Sequence, residues 1–96
     1  MPAYLICLRE GAVLDTAAMG TYQRMNREQP AQPRPTPLVV YGAIDALEGA
    51  APDGVVVLQF PTVEDARAWY HSPEYQAALP HRKNAADHRV LIVQGV

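Results

Sequence analysis

The sequence is short of thiols, of lysine and of long apolar runs. It holds a single cysteine, Cys7, among 96 residues. An internal disulfide framework is excluded by that count, and so are most cysteine-based zinc modules. Lysine is equally scarce: Lys83 stands beside seven arginines, and the net charge is -2. A nucleic-acid binder normally carries a basic excess, which this chain lacks. No apolar run approaches the roughly 20 residues of a membrane helix. The N-terminus moves from Met1-Pro2-Ala3 straight into Tyr4–Leu8 without a basic leader, so no signal peptide is expected. The expectation is a soluble cytoplasmic protein with no membrane and no nucleic-acid partner, and the unpaired cysteine agrees with it.

What is present has the composition of a folded domain. Hydrophobic residues make up 49% and charged residues 19%, which argues against a disordered chain. The length suits one domain spanning residues 1–96. Four short apolar runs read as strands: Ala3–Leu8, Leu38–Tyr41 (continuing past Gly42 toward Leu47), Val55–Phe60 and Val90–Val93. Each is rich in β-branched or aromatic residues and is bounded by Gly, Pro or charge.

Two helical stretches lie between them. Leu14, Ala18, Tyr22 and Met25 recur at helical spacing and share one face. Asp15 is suited to cap that helix and Pro30 to end it. In the second stretch Thr62 and Asp65 form a short capping box. Val63, Ala66, Trp69 and Tyr70 then make an apolar stripe. Ser72-Pro73-Glu74 restarts a helix, because Ser caps, Pro suits the first helical position and Glu favours the positive end. The helix should break at His71-Ser72, continue from Pro73 toward Leu79, and close at Pro80. Gln29–Pro37 holds four of the nine prolines. It reads as a stiff extended connection, with a proline-rich ligand for another domain as the rival interpretation.

The order β-α-β-β-α-β, with a short link from Glu48 to Gly54, gives an α+β fold of the split β-α-β, ferredoxin-like kind. A four-stranded antiparallel sheet would carry its helices on one face. The strands do not alternate cleanly between apolar and polar residues. Tyr4, Ile6 and Leu8 oppose Leu5 and Cys7, and Leu91 and Val93 oppose Val90 and Ile92. Helices on one face leave the other apolar face open, which is unusual for a monomer. A homodimer joined through the sheets is the expectation.

The stretches Leu47-Glu48-Gly49, Val57-Leu58-Gln59-Phe60-Pro61-Thr62 and Ala66-Arg67-Ala68-Trp69-Tyr70-His71-Ser72-Pro73-Glu74-Tyr75-Gln76 resemble the family called domain of unknown function 1330. Tyr4–Leu8 is similar to its first strand and Asp15–Tyr22 to its first helix. Arg82 falls where the family tends to carry an arginine after the second helix. The resemblance implies a ferredoxin-like protomer of the dimeric α/β barrel superfamily. It implies no reaction, since superfamily relatives include cofactor-free monooxygenases, lactone isomerases, haem enzymes and stress-response proteins. One departure stands out. Arg34-Pro35-Thr36-Pro37 replaces a glycine pair usual before the second strand, which should stiffen that loop.

Candidate site residues cluster at the helix break. Trp69 and Tyr70 would line a pocket between helix and sheet for a small organic ligand. His71 and Tyr75 would donate or accept protons there, and Arg82 would hold an anionic or enolate oxygen. The simpler alternatives are core packing for the aromatics and a surface ion pair for Arg82. Cys7 reads as a small buried hydrophobe, and Ser72 as a cap. Glu48 suits either a pocket or a strand end. His71, His81 and His88 lack the spacing of a metal site, so no metal and no cofactor are expected. A haem bound through one histidine is the remote alternative. Two functions compete: a cofactor-free enzyme performing proton transfer, isomerisation or monooxygenation, and a non-catalytic dimeric binding or stress-related module.

Overall fold

Strand β1 (Ala3–Glu10), helix α1 (Thr16–Glu28), strands β2 (Thr36–Val40) and β3 (Gly54–Phe60), helices α2 (Val63–Tyr70) and α3 (Pro73–Ala85), and strand β4 (Asp87–Gln94) follow in chain order. The structure is a computed structural model, and it describes residues 1–28 and 34–96. The first part of the proline-rich connection, residues 29–33, lies outside the described residues. The sheet order is β2-β3-β1-β4, with every neighbouring pair antiparallel. This is the ferredoxin-like arrangement expected of an α+β chain with this element order.

The register decides which side chains meet the helices. Leu5 opposes Leu58 and Ile92, and Cys7 opposes Val56 and Val90. These residues share one face. Leu5 and Phe60 are buried there against Ala66, Trp69, Tyr75 and Leu79. Phe60 and Trp69 pack with ring centroids 5.6 Å apart, and Trp69 and Tyr75 at 4.4 Å. Aromatic pairs of this kind add about 0.5–1.5 kcal/mol beyond the area they bury. The opposite face carries Tyr4, Ile6 and Leu8, flanked by Val57 and Val39 on one side and by Leu91 and Val93 on the other. Leu91 and Val93 are 42% and 43% exposed. No described helix covers this face of the protomer, as the strand pattern anticipated.

The caps form where local chemistry puts them. Asp15 Oδ1 accepts from Ala18 N at 2.9 Å, Thr62 Oγ1 from Asp65 N at 3.1 Å and Ser72 Oγ from Tyr75 N at 3.2 Å. The helix break at His71-Ser72 separates α2 from α3. Pro80 does not close α3, contrary to the sequence expectation. It removes one backbone donor, but Arg82 and Ala85 beyond it are buried, and Ala85 O accepts from Leu14 N at 2.7 Å. Tertiary anchoring of the last turn outweighs the local cost. Arg82 thus sits inside α3 rather than after it.

Two further expectations are corrected. Leu14 does not join the apolar stripe of α1; it precedes the cap and is 82% exposed, and Met19 is buried instead. β2 does not run toward Leu47 but stops at Val40, because Tyr41 adopts φ 54, a region that non-glycine residues seldom enter. Residues 41–53, not Glu48–Gly54, therefore link β2 to β3. Gly54 makes this possible: a Cβ there would meet the Tyr41 ring at 2.8 Å. Pro37 is tolerated inside β2 because β2 is an edge strand with a register shift between Pro37 and Val39.

Candidate functional site

The helix-facing side of the sheet is not fully covered. Between it and the helices lies a cavity of about 480 Å³, within the range that takes small organic ligands. Its floor is Leu5, Cys7, Val56, Leu58 and Val90. β1, β3 and β4 place these residues in register, so the floor is continuous. Tyr22 and Asn26 reach it from α1, Trp69 from α2, and Tyr75 and Arg82 from α3. Tyr41 and the Arg34–Pro37 stretch border it on the β2 side.

The polar groups are few and their hydrogen bonds can be counted. Tyr22 Oη and Tyr75 Oη lie 2.9 Å apart, with the rings edge-on at 6.1 Å. Two hydroxyls sharing one hydrogen bond leave one O–H free to donate, whichever of them gives the shared proton. Arg82 is 5% exposed, and its guanidinium stands 6.0 Å from the centre of the Tyr22 ring. Its Nε, and Oδ1 of Asn26, are buried without a hydrogen-bond partner. Such orphans are uncommon in folded proteins and call for a physical reason.

The electrostatics run one way. Burial pushes the Tyr22 hydroxyl far above the ordinary tyrosine value, and the neighbouring Tyr75 adds to the effect. Burial also raises Tyr75, against smaller lowering from its hydrogen bond with Tyr22 and from the Arg82 charge. The Cys7 thiol is raised by burial, with Arg82 pulling in the opposite direction. At neutral pH the cavity therefore presents neutral phenols and a neutral thiol beside the guanidinium groups of Arg27, Arg34 and Arg82. These are donors, and none of them is a base.

The sequence-derived candidates separate in space. Trp69, Tyr75 and Arg82 line the cavity together. His71 is exposed, its ring edge-on to Tyr70 at 5.1 Å, and it is not among the described lining residues. The reason is helical geometry: positions two apart do not share a face, so burying Trp69 turns His71 outward. Tyr70 is half-buried and packs against Tyr75, with ring centroids 5.2 Å apart, without lining the cavity. Tyr22, Asn26, Arg34 and Tyr41 were not among the candidates. Tyr22 read as core, and the signal was Asn26, a polar residue four positions on along the same face. Glu48 is exposed in the 41–53 link and does not line the cavity. Among the described residues no cluster of three or more His, Cys, Asp or Glu could hold a metal ion, and no helix is long and apolar enough to cross a membrane.

Solved structures share this architecture. A protein of unknown function from Rhodopseudomonas palustris matches with TM-score 0.74 at 18% identity, covering 99% of this chain and 82% of that one. A dimeric ferredoxin-like protein of unknown function from Thermobifida fusca matches with TM-score 0.65 at 20% identity, covering 97% and 90%. An ethyl tert-butyl ether d (EthD) family protein from Bacillus halodurans matches with TM-score 0.67 at 16% identity over 100% of both chains. At these identities the likeness shows the fold alone. No curated protein matches the chain. The model of one family, a domain of unknown function (DUF1330), matches residues 2–96, and this chain belongs to that family.

Proposed function

We propose that this protein is a homodimer that binds a small organic molecule in the helix–sheet cavity of each protomer. The observation that carries the ligand reading is the cavity's spare hydrogen-bonding capacity. A buried Arg82 Nε, a buried Asn26 Oδ1 and one free tyrosine O–H border apolar walls. Buried polar groups left unpaired cost free energy; a ligand oxygen would accept from the Arg82 guanidinium and the free tyrosine O–H, and a ligand N–H or O–H would donate to Asn26 Oδ1. Trp69 would form an aromatic wall, Tyr75 and Tyr22 would donate a hydrogen bond, and Arg82 would face the oxygen. Cofactor-free chemistry at this site would draw on those donors. They suit protonation or stabilisation of a ligand oxygen, and a group titrating near neutrality is not among the described lining residues.

Trp69 is the sole tryptophan, so its fluorescence reports on the cavity. Titration with benzyl alcohol and benzamide should change its emission in the native protein. The change should vanish in Val56→Phe, where a larger side chain fills the space above the floor. Unchanged emission at saturating compound, or an equal response in Val56→Phe, would remove the ligand reading.

The dimer reading is supported by the open apolar face and by the dimeric description of the Thermobifida fusca protein. A second copy laid sheet against sheet would cover Tyr4, Ile6, Val57, Leu91 and Val93 at once. Face-to-face sheets pack about 10 Å apart with side chains interdigitating.

A further inference from the structure

The charges around the cavity are all of one sign. Arg82 lies at depth, while Arg27 and Arg34 border the mouth, where Arg34 Nη2 donates to Arg27 O at 3.2 Å. No described lining residue is an aspartate or glutamate, and residues 29–33 contain no acidic side chain. This positive lining belongs to a chain whose net charge is -2. Among the described residues the ion pair formed is Arg89 with Glu10, at 2.6 Å on the surface. Arg82 is therefore a buried cation that the protein itself does not neutralise.

A buried charge is normally paired, or it binds something that pairs it. A guanidinium presents pairs of parallel N–H groups, the geometry that meets the two oxygens of a carboxylate, and its Nη atoms, unlike the enclosed Nε, are the ones open to the cavity. Beyond the guanidinium the walls are apolar and aromatic: Leu5, Val56, Leu58, Val90 and Trp69. A phosphate would leave those walls idle. Building on the ligand reading above, we infer that the cavity selects a small flat organic carboxylate, its charged end on Arg82 and its apolar body between Trp69 and the sheet floor. The free tyrosine O–H supplies a further donor to the same carboxylate. Arg27 and Arg34 raise the local concentration of anions at the mouth.

The test is calorimetric titration of the whole protein with 2-naphthoate, and with 2-naphthamide as its neutral counterpart of the same shape. Naphthoate should bind about tenfold tighter or better, the scale of one charge-assisted hydrogen-bonded contact. In Arg82→Met its affinity should fall to that of naphthamide, whose own affinity stays within about twofold. Arg82→Lys keeps the charge and loses the fork, so naphthoate should bind it between the two extremes; this variant carries the test if Arg82→Met does not fold. Equal binding of the two compounds to the native protein would overturn the carboxylate inference and leave the ligand reading standing, as would undiminished naphthoate binding in both variants. Binding of neither compound would sink both.

Discussion

Replacing Arg82 with methionine should make the empty protein more stable. Arg82 is 5% exposed, and its Nε has no hydrogen-bond partner. No carboxylate pairs with it among the described residues. A buried ion exchanged for an apolar side chain of similar volume typically gains about 1–4 kcal/mol. The adjoining cavity has room for water that would relieve part of that burden, which favours the low end. Against the gain stands the contact with the Tyr22 ring at 6.0 Å, worth about 0.5–1 kcal/mol. Methionine keeps most of the packing of the arginine stem. The net expectation is a gain of up to about 1.5 kcal/mol. For a domain of this size that raises Tm by up to roughly 12 °C. Thermal unfolding of the ligand-free native and Arg82→Met proteins, at matched concentration because assembly shifts Tm, measures it. A loss of about 1 kcal/mol or more would refute the reasoning, because Arg82 would then be a structural residue rather than a cation held for a ligand.

The Tyr22 and Tyr75 hydroxyls are raised above the ordinary value of 10.0 by burial. Their contribution is fully present below pH 10. Above it the unfolded chain releases protons that the folded chain keeps, so stability should fall by about 1.4 kcal/mol per pH unit for each retained proton. Urea titrations between neutral and strongly alkaline pH should show this slope, and Tyr22→Phe should lose one share of it. His88 is lowered from 6.5, chiefly by burial; its contribution is full above pH 6.5 and is lost below, so His88→Gln should flatten the acid limb of the same curve. Ile6→Arg places a charge at the centre of the open sheet face and should yield a monomer by sedimentation, with the helix side intact by circular dichroism. Phe60→Ala removes a side chain that is 1% exposed and should cost about 3–5 kcal/mol by chemical denaturation.

The parts of the fold legible in the sequence are those set by local chemistry. Thr62, Ser72 and Asp15 cap because their side-chain oxygens meet nearby backbone N–H groups. The open face was legible because Tyr4, Ile6 and Leu8 have no polar alternation to offer solvent. Pro80 fails to end α3 for the opposite reason: the docking of Ala85 O against Leu14 N is a tertiary event that no local rule contains. The end of β2 depends on Tyr41 taking a left-handed conformation over Gly54, another long-range contact. Within the site, Trp69, Tyr75 and Arg82 converge because α2 and α3 turn those positions to the sheet. His71 does not, although its side-chain chemistry was the most inviting. Tyr22 stayed hidden because its spacing is equally that of a core residue, and its hydroxyl partner is contributed by a different helix.

The central claim is that the helix–sheet cavity holds a ligand whose oxygen meets Arg82. Electron density from crystals grown with 2-naphthoate tests it most directly. The carboxylate is expected within hydrogen-bond distance of the Arg82 guanidinium, with the tyrosine pair at its side and the ring against Trp69. A cavity closed by side chains, or the ring lodged elsewhere with Arg82 paired to a protein carboxylate, would contradict it.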